Sequence, residues 1–348
     1  FEVVVGYGEL GTADKDFLIN KGFKIKHIPM YRGSINFVKE LKTLLYVWKF
    51  FKIEKPDIVH LVTIKPYLYG GIISRLLGTP ALVSAVSGLG TIFISKDLKF
   101  RIIRFLLYPI YKIAFNHINQ KIIVQNNDDL KVLVNWGVLK ATKTKLLKGS
   151  GVDINYFKNL EEPSGIINVC FASRLLRDKG LYEFVLAAKI LKDRGVIAKF
   201  YVAGDLDLNN PTGLTIDDLN KLKKNKYVEV LGFQKDIPRL YSNSHIICLP
   251  SYREGLPKSL IEAAAAGRAI VTTDVPGCRD AIIPNKTGIL VPVKNSYKLA
   301  DALQWLIENP NKRVEMGKAG RKLAEMNFAV DKVVQNHLDI YQELLDAS

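Results

Sequence analysis

At 348 residues, 48% of them hydrophobic, and with no low-complexity tract, the chain can bury a large core; this favours two domains and excludes a disordered or fibrous protein. Its net charge of +16 is uneven, with 23 Lys and Arg against 11 Asp and Glu in residues 1–155, and 27 against 23 in residues 156–348; the basic first half calls for an anionic partner, whether nucleic acid, anionic lipid or a phosphorylated substrate. Three scattered cysteines (Cys170, Cys248, Cys278) and five histidines without HxH or HExxH spacing exclude a disulfide framework, point to a reducing compartment and give no metal site.

The chain opens on a strand, Glu2–Val5, at Phe1 and not at Met, so the natural N-terminus is expected to lie upstream. GYGELG (Gly6–Gly11) then matches GxGxxG. A dinucleotide fingerprint needs an acid at the end of the next strand. That strand, Lys24–Ile28, offers Lys24, Lys26 and His27 instead, so a plain glycine-rich loop is preferred. Phe37–Lys52 and Leu98–Phe115 are basic helices interleaved with aromatic and aliphatic residues. Such helices suit an anionic membrane interface or a core face with snorkelling lysines. The core reading is preferred for Phe37–Lys52, whereas both stay open for Leu98–Phe115, where Pro109 should break any long helix. Between them come strand Ile58–Leu61, helix Tyr67–Leu77 and strand Ala81–Val86. His60, Thr63 and Lys65 lie at the carboxyl end of the first of these strands, and Ser87–Gly88–Leu89–Gly90 at that of the second; both loops should face the second domain. Leu76–Ser95 is an uncharged run of membrane-span length, but Gly78, Pro80, Gly88 and Gly90 make buried strands the better reading. Strand Lys121–Val124 follows.

A short polar break at Asn155–Gly165 precedes a second run of strands: Ile167–Ala172, Lys199–Ala203, Val228–Leu231, Ile246–Leu249, Ala269–Thr272 and Gly288–Val291. Helix Leu181–Asp193 lies between the first two of them, helix Tyr297–Asn309 follows the last, and Val330–Leu345 closes the chain. The rhythm is α/β, with two doubly wound parallel-sheet domains and ligands at the carboxyl ends of the strands. The expected divisions are 1–155, 156–327 and a terminal helix, 328–348.

Arg174 and Lys179 follow the first strand of the second half. A planar fork beside a point charge suits a diphosphate, the alternative being a solvated basic loop. The turn at Gly232 and Phe233 could present backbone groups to a nucleobase, the alternative being an ordinary loop. The most informative segment is SYREGLPKSLIEAAAAGRAIV, with Glu254 on a loop and Glu262 inside the helix that follows. Pro257 suits a first helical turn, the Ala263–Ala266 run propagates the helix, and Gly267 can stop it. The helix N-terminus would face a phosphate while each glutamate accepts hydroxyl hydrogen bonds from a sugar on either side. The alternative is a surface helix with two solvated acids.

Together, SRLLRDKG, EGLPKSLIE, VTTDVPGCRDAI and GSGVD (Gly149–Asp153) resemble retaining nucleotide-sugar glycosyltransferases of family 4, which have the GT-B architecture, over essentially the whole chain. HLVTIKPYLYGG and SAVSGLGTIF resemble the bacterial subgroup that extends undecaprenyl-diphosphate-linked sugars for O-antigen, capsule or N-glycan assembly. The resemblance implies that Arg174 and Lys179 hold the donor diphosphate, that Glu254 touches the transferred hexose and Glu262 the ribose, and that backbone around Gly255, Leu256, Pro257, Lys258 and Ser259 completes the pocket. It implies that the final helix crosses back onto the first domain, with His60, Lys65, Ser87 and Gly88 at the first-domain cleft. Against this family the chain starts one strand late, and Ser87 stands where many relatives carry histidine.

The expected reaction moves a hexose or N-acetylhexosamine from a UDP-sugar to a lipid-diphosphate-linked saccharide with retention. Arg174, Lys179 and Glu254 are the expected catalytic groups, with no metal or other cofactor. The expected setting is cytoplasmic, peripheral on the cytoplasmic face of the inner membrane, with an anionic lipid surface and no nucleic acid as partner. A GT-B nucleotide-sugar epimerase and a nucleotide-sugar-binding protein without transfer activity stay open as alternatives.

Overall fold

The structure is a computed structural model and describes residues 1–30, 36–89, 93, 97–208 and 210–347. The first half runs β1 (Val4–Tyr7), α1 (Thr12–Asn20), β2 (Lys24–His27), α2 (Phe37–Glu54), β3 (Ile58–Val62), α3 (Ile64–Leu77), β4 (Ala81–Val86), α4 (Leu98–Ala114), β5 (Gln120–Val124), α5 (Asn127–Asn135) and β6 (Thr144–Leu146). The second runs β7 (Ile167–Ala172), α6 (Leu181–Asp193), β8 (Ala198–Ala203), α7 (Ile216–Lys223), β9 (Glu229–Gly232), α8 (Ile237–Ser242) and β10 (Ile246–Leu249). It continues with α9 (Lys258–Ala265), β11 (Ala269–Thr273), β12 (Gly288–Val291), α10 (Ser296–Glu308), α11 (Pro310–Asn327) and α12 (Val330–Leu345).

The second half forms one six-stranded parallel sheet in the order β12-β11-β10-β7-β8-β9. Its central strands are short apolar runs such as IICL and AIVTT, buried on both faces as helices on either side require. The chain winds outward from β7 to β9 and then returns to start again at β10, so β7 and β10 lie side by side at the point where the winding reverses. In an open α/β sheet the crevice for a ligand opens there, above the carboxyl ends of the strands.

In the first half, β3-β4-β5-β6 form a four-stranded parallel sheet, and β1 and β2 pair with each other as a separate sheet. Strand alternation sends Leu82, Val86, Ile122 and Val124 into a core with Tyr67 and Leu68. The alternate residues Ala81, Val83 and Ile123 meet Ile340 and Leu344 of α12 on the other face. The terminal helix thus packs on the first-half sheet, and each of its buried aliphatic side chains contributes roughly 1.5–3 kcal/mol. Glu343 adds ion pairs to Lys121 and Lys145.

Two local expectations are corrected. Helix α4 runs unbroken through Pro109. The acceptor left unpaired by proline is the carbonyl four residues back, on Phe105, a residue 79% exposed where solvent can reach it. Helix α2 lays Val47 and Phe51 into the first-half core with Leu44 and Phe50 packed beside them, and turns Phe37, Leu41, Leu45 and Trp48 outward, so the core-facing reading holds for one of its faces. Strand β6 was not foreseen, being three residues, Thr-Lys-Leu, with little apolar signal. In the glycine-rich opening, Gly6 lies within β1, and none of Gly6, Gly8 and Gly11 has a positive φ, so the tight phosphate-binding turn is absent there. Among the described residues no helix is long and apolar enough to cross a membrane; of the uncharged run, residues 90–92 and 94–95 lie outside the described residues.

Candidate active site

The loops leaving β7 and β10 are tied into one body. The backbone N–H of Tyr252 donates to the Asp178 carbonyl (2.8 Å), and Ser251 Oγ donates to the same oxygen (3.1 Å). Gly180, at φ +75°, lets the first loop pass so near the second that a Cβ there would collide with the Pro250 carbonyl. Arg174 and Lys179 of one loop are thereby set beside Glu254 of the other.

These charges are held by carboxylates. Lys179 Nζ lies 2.5 Å from Glu254 Oε1, both side chains mostly covered at 16% and 11% exposure. Arg174 Nη1 lies 2.5 Å from Asp207 Oδ2, with half of the arginine side chain open to solvent. Both cations are thus held in place by carboxylate partners of their own half. The chain then turns at Gly255 into α9. Pro257, in extended geometry, caps the helix from outside its first turn, and the opening N–H groups of α9 have no acceptor within the helix. Gly267, at φ +71°, follows its C-terminus.

Beside α9 a cavity of about 390 Å³ is walled by Ala172–Arg174, the turn after β8, Phe233, Gln234, Ser259 and Glu262, with Tyr241 at its floor. Gly232 ends β9 at φ +69° and presents its carbonyl to the N–H of Gly204 (2.9 Å). Phe233 stays exposed at the cavity mouth. Glu262 is 13% exposed, with Lys258 Nζ 3.7 Å away. Burial pushes its carboxyl up to about 7, only partly offset by Lys258. A second hollow, of about 340 Å³, adjoins the first at Ile237 and Glu262 and reaches Ser150, Asp153 and Tyr156 at the junction of the halves. Among the described residues no three His, Cys, Asp or Glu gather as metal ligands would.

The first half meets this loop closely. A Cβ at Gly255 would strike the Ser87 carbonyl and Gln125 Oε1, and Gly88 (φ +132°) passes within van der Waals reach of Gly255. Leu256 packs on Gly149 in the same way. Ser87 and Gly88 therefore do lie opposite the segment carrying Glu254; Gly90 lies outside the described residues. His60 and Lys65 are placed elsewhere. His60 sits mid-strand in β3, under α12, with Nδ1 2.5 Å from the Tyr341 hydroxyl and its ring stacked on His337. Its expected place at the cleft mouth gives way to strand alternation, which aims it at the face α12 covers. Burial first, then His337, lowers its pKa to about 4. Lys65 pairs with Glu40 of α2 (2.7 Å).

Sequence reasoning missed the residues that join the halves. Asn126 caps α5, accepting from the Asp129 N–H (2.8 Å), and its Nδ2 donates to the Gly255 carbonyl (2.9 Å). Arg253 Nη2 donates to Asp129 Oδ1, and Arg279 Nη1 lies 3.1 Å from Asp128 Oδ2. Asp129 is fully buried, which raises its carboxyl pKa, while Arg253 opposes that rise. NNDD does read as a helix start, but nothing in it names a partner more than a hundred residues away.

Residues 153–323 match the family model described as "Glycosyl transferases group 1", and residues 10–126 the one described as "Glycosyl transferase 4-like". Over 93% of its length the chain is 30% identical to the N,N'-diacetylbacillosaminyl-diphospho-undecaprenol alpha-1,3-N-acetylgalactosaminyltransferase of Campylobacter jejuni, covering 87% of that protein. It is 27% identical over 93% of its length to the capsular polysaccharide biosynthesis glycosyltransferase CapM of Staphylococcus aureus, again covering 87%. Over 91% it is 25% identical to the UDP-Gal:alpha-D-GlcNAc-diphosphoundecaprenol alpha-1,3-galactosyltransferase of Escherichia coli, of which it covers 83%. Among solved structures, Anabaena HepE in complex with UDP and glucose superposes with a TM-score of 0.76 at 18% identity, covering 97% of this chain and 91% of that one. Sucrose-phosphate synthase from Thermosynechococcus elongatus gives 0.76 at 21%, covering 99% and 96%. The epimerase alternative finds no support in these relatives. Two facing parallel-sheet halves of GT-B architecture and both family matches give one conclusion: the chain belongs to the family 4 glycosyltransferases and is a glycosyltransferase.

Proposed function

We propose that this enzyme transfers a hexose or N-acetylhexosamine from a UDP-sugar to a lipid-diphosphate-linked saccharide during surface polysaccharide or glycan assembly, with retention of configuration. The observation that supports it most is the convergence of Arg174, Lys179, Glu254 and the N-terminus of α9 at the β7/β10 reversal, beside the cavity that ends on Glu262. The relatives named for undecaprenyl-diphosphate-linked acceptors support the acceptor class.

In this reading the uracil lies near Phe233 and Gln234, the ribose hydroxyls donate to Glu262, and the diphosphate replaces Asp207 on Arg174 and Glu254 on Lys179. Glu254, released from Lys179, accepts from hydroxyls of the transferred sugar. The bond between the anomeric carbon and the diphosphate oxygen breaks, and UDP leaves with the electron pair. The acceptor hydroxyl attacks the same face, forms the new carbon–oxygen bond and passes its proton to the departing diphosphate oxygen. Two cations and the first-turn N–H groups of α9 stabilise the charge that develops on UDP, so electrostatic placement supplies most of the catalysis.

The lipid-linked acceptor brings the first half to the cytoplasmic face of the membrane. Helix α4 supports this placement, exposing Leu98, Ile102, Phe105 and Leu106 beside Lys99, Arg101 and Arg104. The test is a panel of UDP-N-acetylgalactosamine, UDP-galactose, UDP-N-acetylglucosamine and UDP-glucose with an undecaprenyl-linked acceptor fraction. A lipid-linked product carrying one added sugar is expected; an epimerised donor, or donor recovered unchanged throughout the panel, would refute the proposal.

A further inference from the structure

Glu254 stands between two sets of contacts. On its own half, Lys179 holds the carboxylate at 2.5 Å. On the other half, the residues either side of it in sequence are gripped by the start of α5. Arg253 is seated on the fully buried carboxylate of Asp129, and the Gly255 carbonyl accepts from Asn126 Nδ2 at 2.9 Å. Asn126 and Asp129 also bind each other, through Nδ2 to Oδ2 at 3.2 Å and through the cap at 2.8 Å, so the two grips form one unit. The loop has no slack on its far side, because a Cβ at Gly277 would collide with the Gly255 and Glu254 carbonyls. The cavity assigned to the nucleotide, by contrast, is lined among the described residues by the second half alone.

We propose that Asp129, through Arg253, and Asn126, through the Gly255 carbonyl, are positioning residues for Glu254, so that the first domain sets the sugar-facing carboxylate only when the two domains are closed on each other. Recognition of the sugar and domain closure are then one equilibrium, while UDP binds the second half with no need of either. A donor whose sugar makes no use of Glu254 draws nothing from closure. The burial of Asp129 follows from this role, since a carboxylate out of water is kept ionised only by a fixed partner, here the Arg253 guanidinium.

The inference rests on reading Glu254 as the contact to the transferred sugar, and a double-mutant cycle separates the two. Steady-state transfer is measured on the UDP-sugar panel above, and UDP affinity by calorimetry, for Asp129→Ala, Glu254→Ala and the double variant. Asp129→Ala is expected to lower kcat/KM on the order of tenfold to a hundredfold, as ångström-scale misplacement does, with UDP affinity unchanged. In the Glu254→Ala background the same substitution is expected to cost less than about twofold, because both act through one carboxylate. Asn126→Ala repeats the cycle through the other grip and serves if Asp129→Ala does not fold. Equal losses in both backgrounds, parental activity in Asp129→Ala and Asn126→Ala, or a loss of UDP affinity matching the loss of activity overturns the proposal. Parental activity in Glu254→Ala would defeat the underlying reading of that glutamate, and the proposal with it.

Discussion

Glu262 offers the sharpest quantitative test. Its carboxyl titrates at 4.5 when exposed in an unfolded chain and near 7 in the fold, raised by burial. The folded protein therefore holds this proton more tightly than the unfolded one. Its contribution to stability is complete below pH 4.5 and disappears as pH rises through about 7. The difference corresponds to roughly 3 kcal/mol, the cost of ionising the buried group above pH 7. Glu262→Gln removes that cost at almost constant shape. Melting of the unliganded variant should match the parent at pH 5 and exceed it by several degrees at pH 8. UDP should reverse the ordering, since ribose hydroxyls donate best to an ionised carboxylate. Parental UDP affinity should rise as pH passes through about 7, with a proton released on binding, which calorimetry in two buffers of different ionisation enthalpy counts. The variant should bind more weakly and lose this pH dependence. A melting shift equal at pH 5 and pH 8, or a variant that binds UDP as the parent does, refutes the reasoning.

Arg174→Ala and Lys179→Ala should each weaken UDP by roughly 1.5–3 kcal/mol in calorimetry. The lysine variant should suffer more, because it also leaves the covered Glu254 carboxylate facing the diphosphate. Unchanged affinity in both rejects the assignment. Glu254→Ala should bind UDP as the parent does while using the UDP-sugar poorly; a loss of UDP affinity as large as that of Glu262→Gln would show that the roles are not divided. Reversing Arg101 and Arg104 to Glu should sharply reduce co-sedimentation with anionic vesicles at low salt and leave UDP binding intact, each basic residue near such a surface contributing about 1 kcal/mol. A folded reversal variant that binds vesicles normally would leave α4 a cover for the domain core.

What the sequence discloses here depends on how far apart the cooperating residues lie. Strands such as Ala81–Val86, Ile246–Leu249 and Gly288–Val291 are written in local apolar runs, and the structure places them within those bounds. The order of loops at the β7/β10 reversal follows from the βαβ rhythm, so Arg174, Lys179, Glu254 and Glu262 could be named from their positions after strands or at a helix start. Local rules failed where tertiary context decides. Pro109 is tolerated because the carbonyl it orphans is solvated, and the outward apolar stripe of α2 has the same periodicity as an inward one. His60 lies within the same kind of apolar run that precedes the site residues, yet β-alternation turns it under α12, whose arrival from the far end of the chain no local pattern announces. The interdomain grip is the extreme case. Asn126 and Asp129 look like an ordinary helix cap, and Arg253 like an incidental neighbour of Glu254, until folding brings together residues 124 positions apart. A carboxylate seated by the opposite domain answers to closure as well as to its ligand, so the part of the site least legible in sequence is the part that joins sugar recognition to the movement of the two halves.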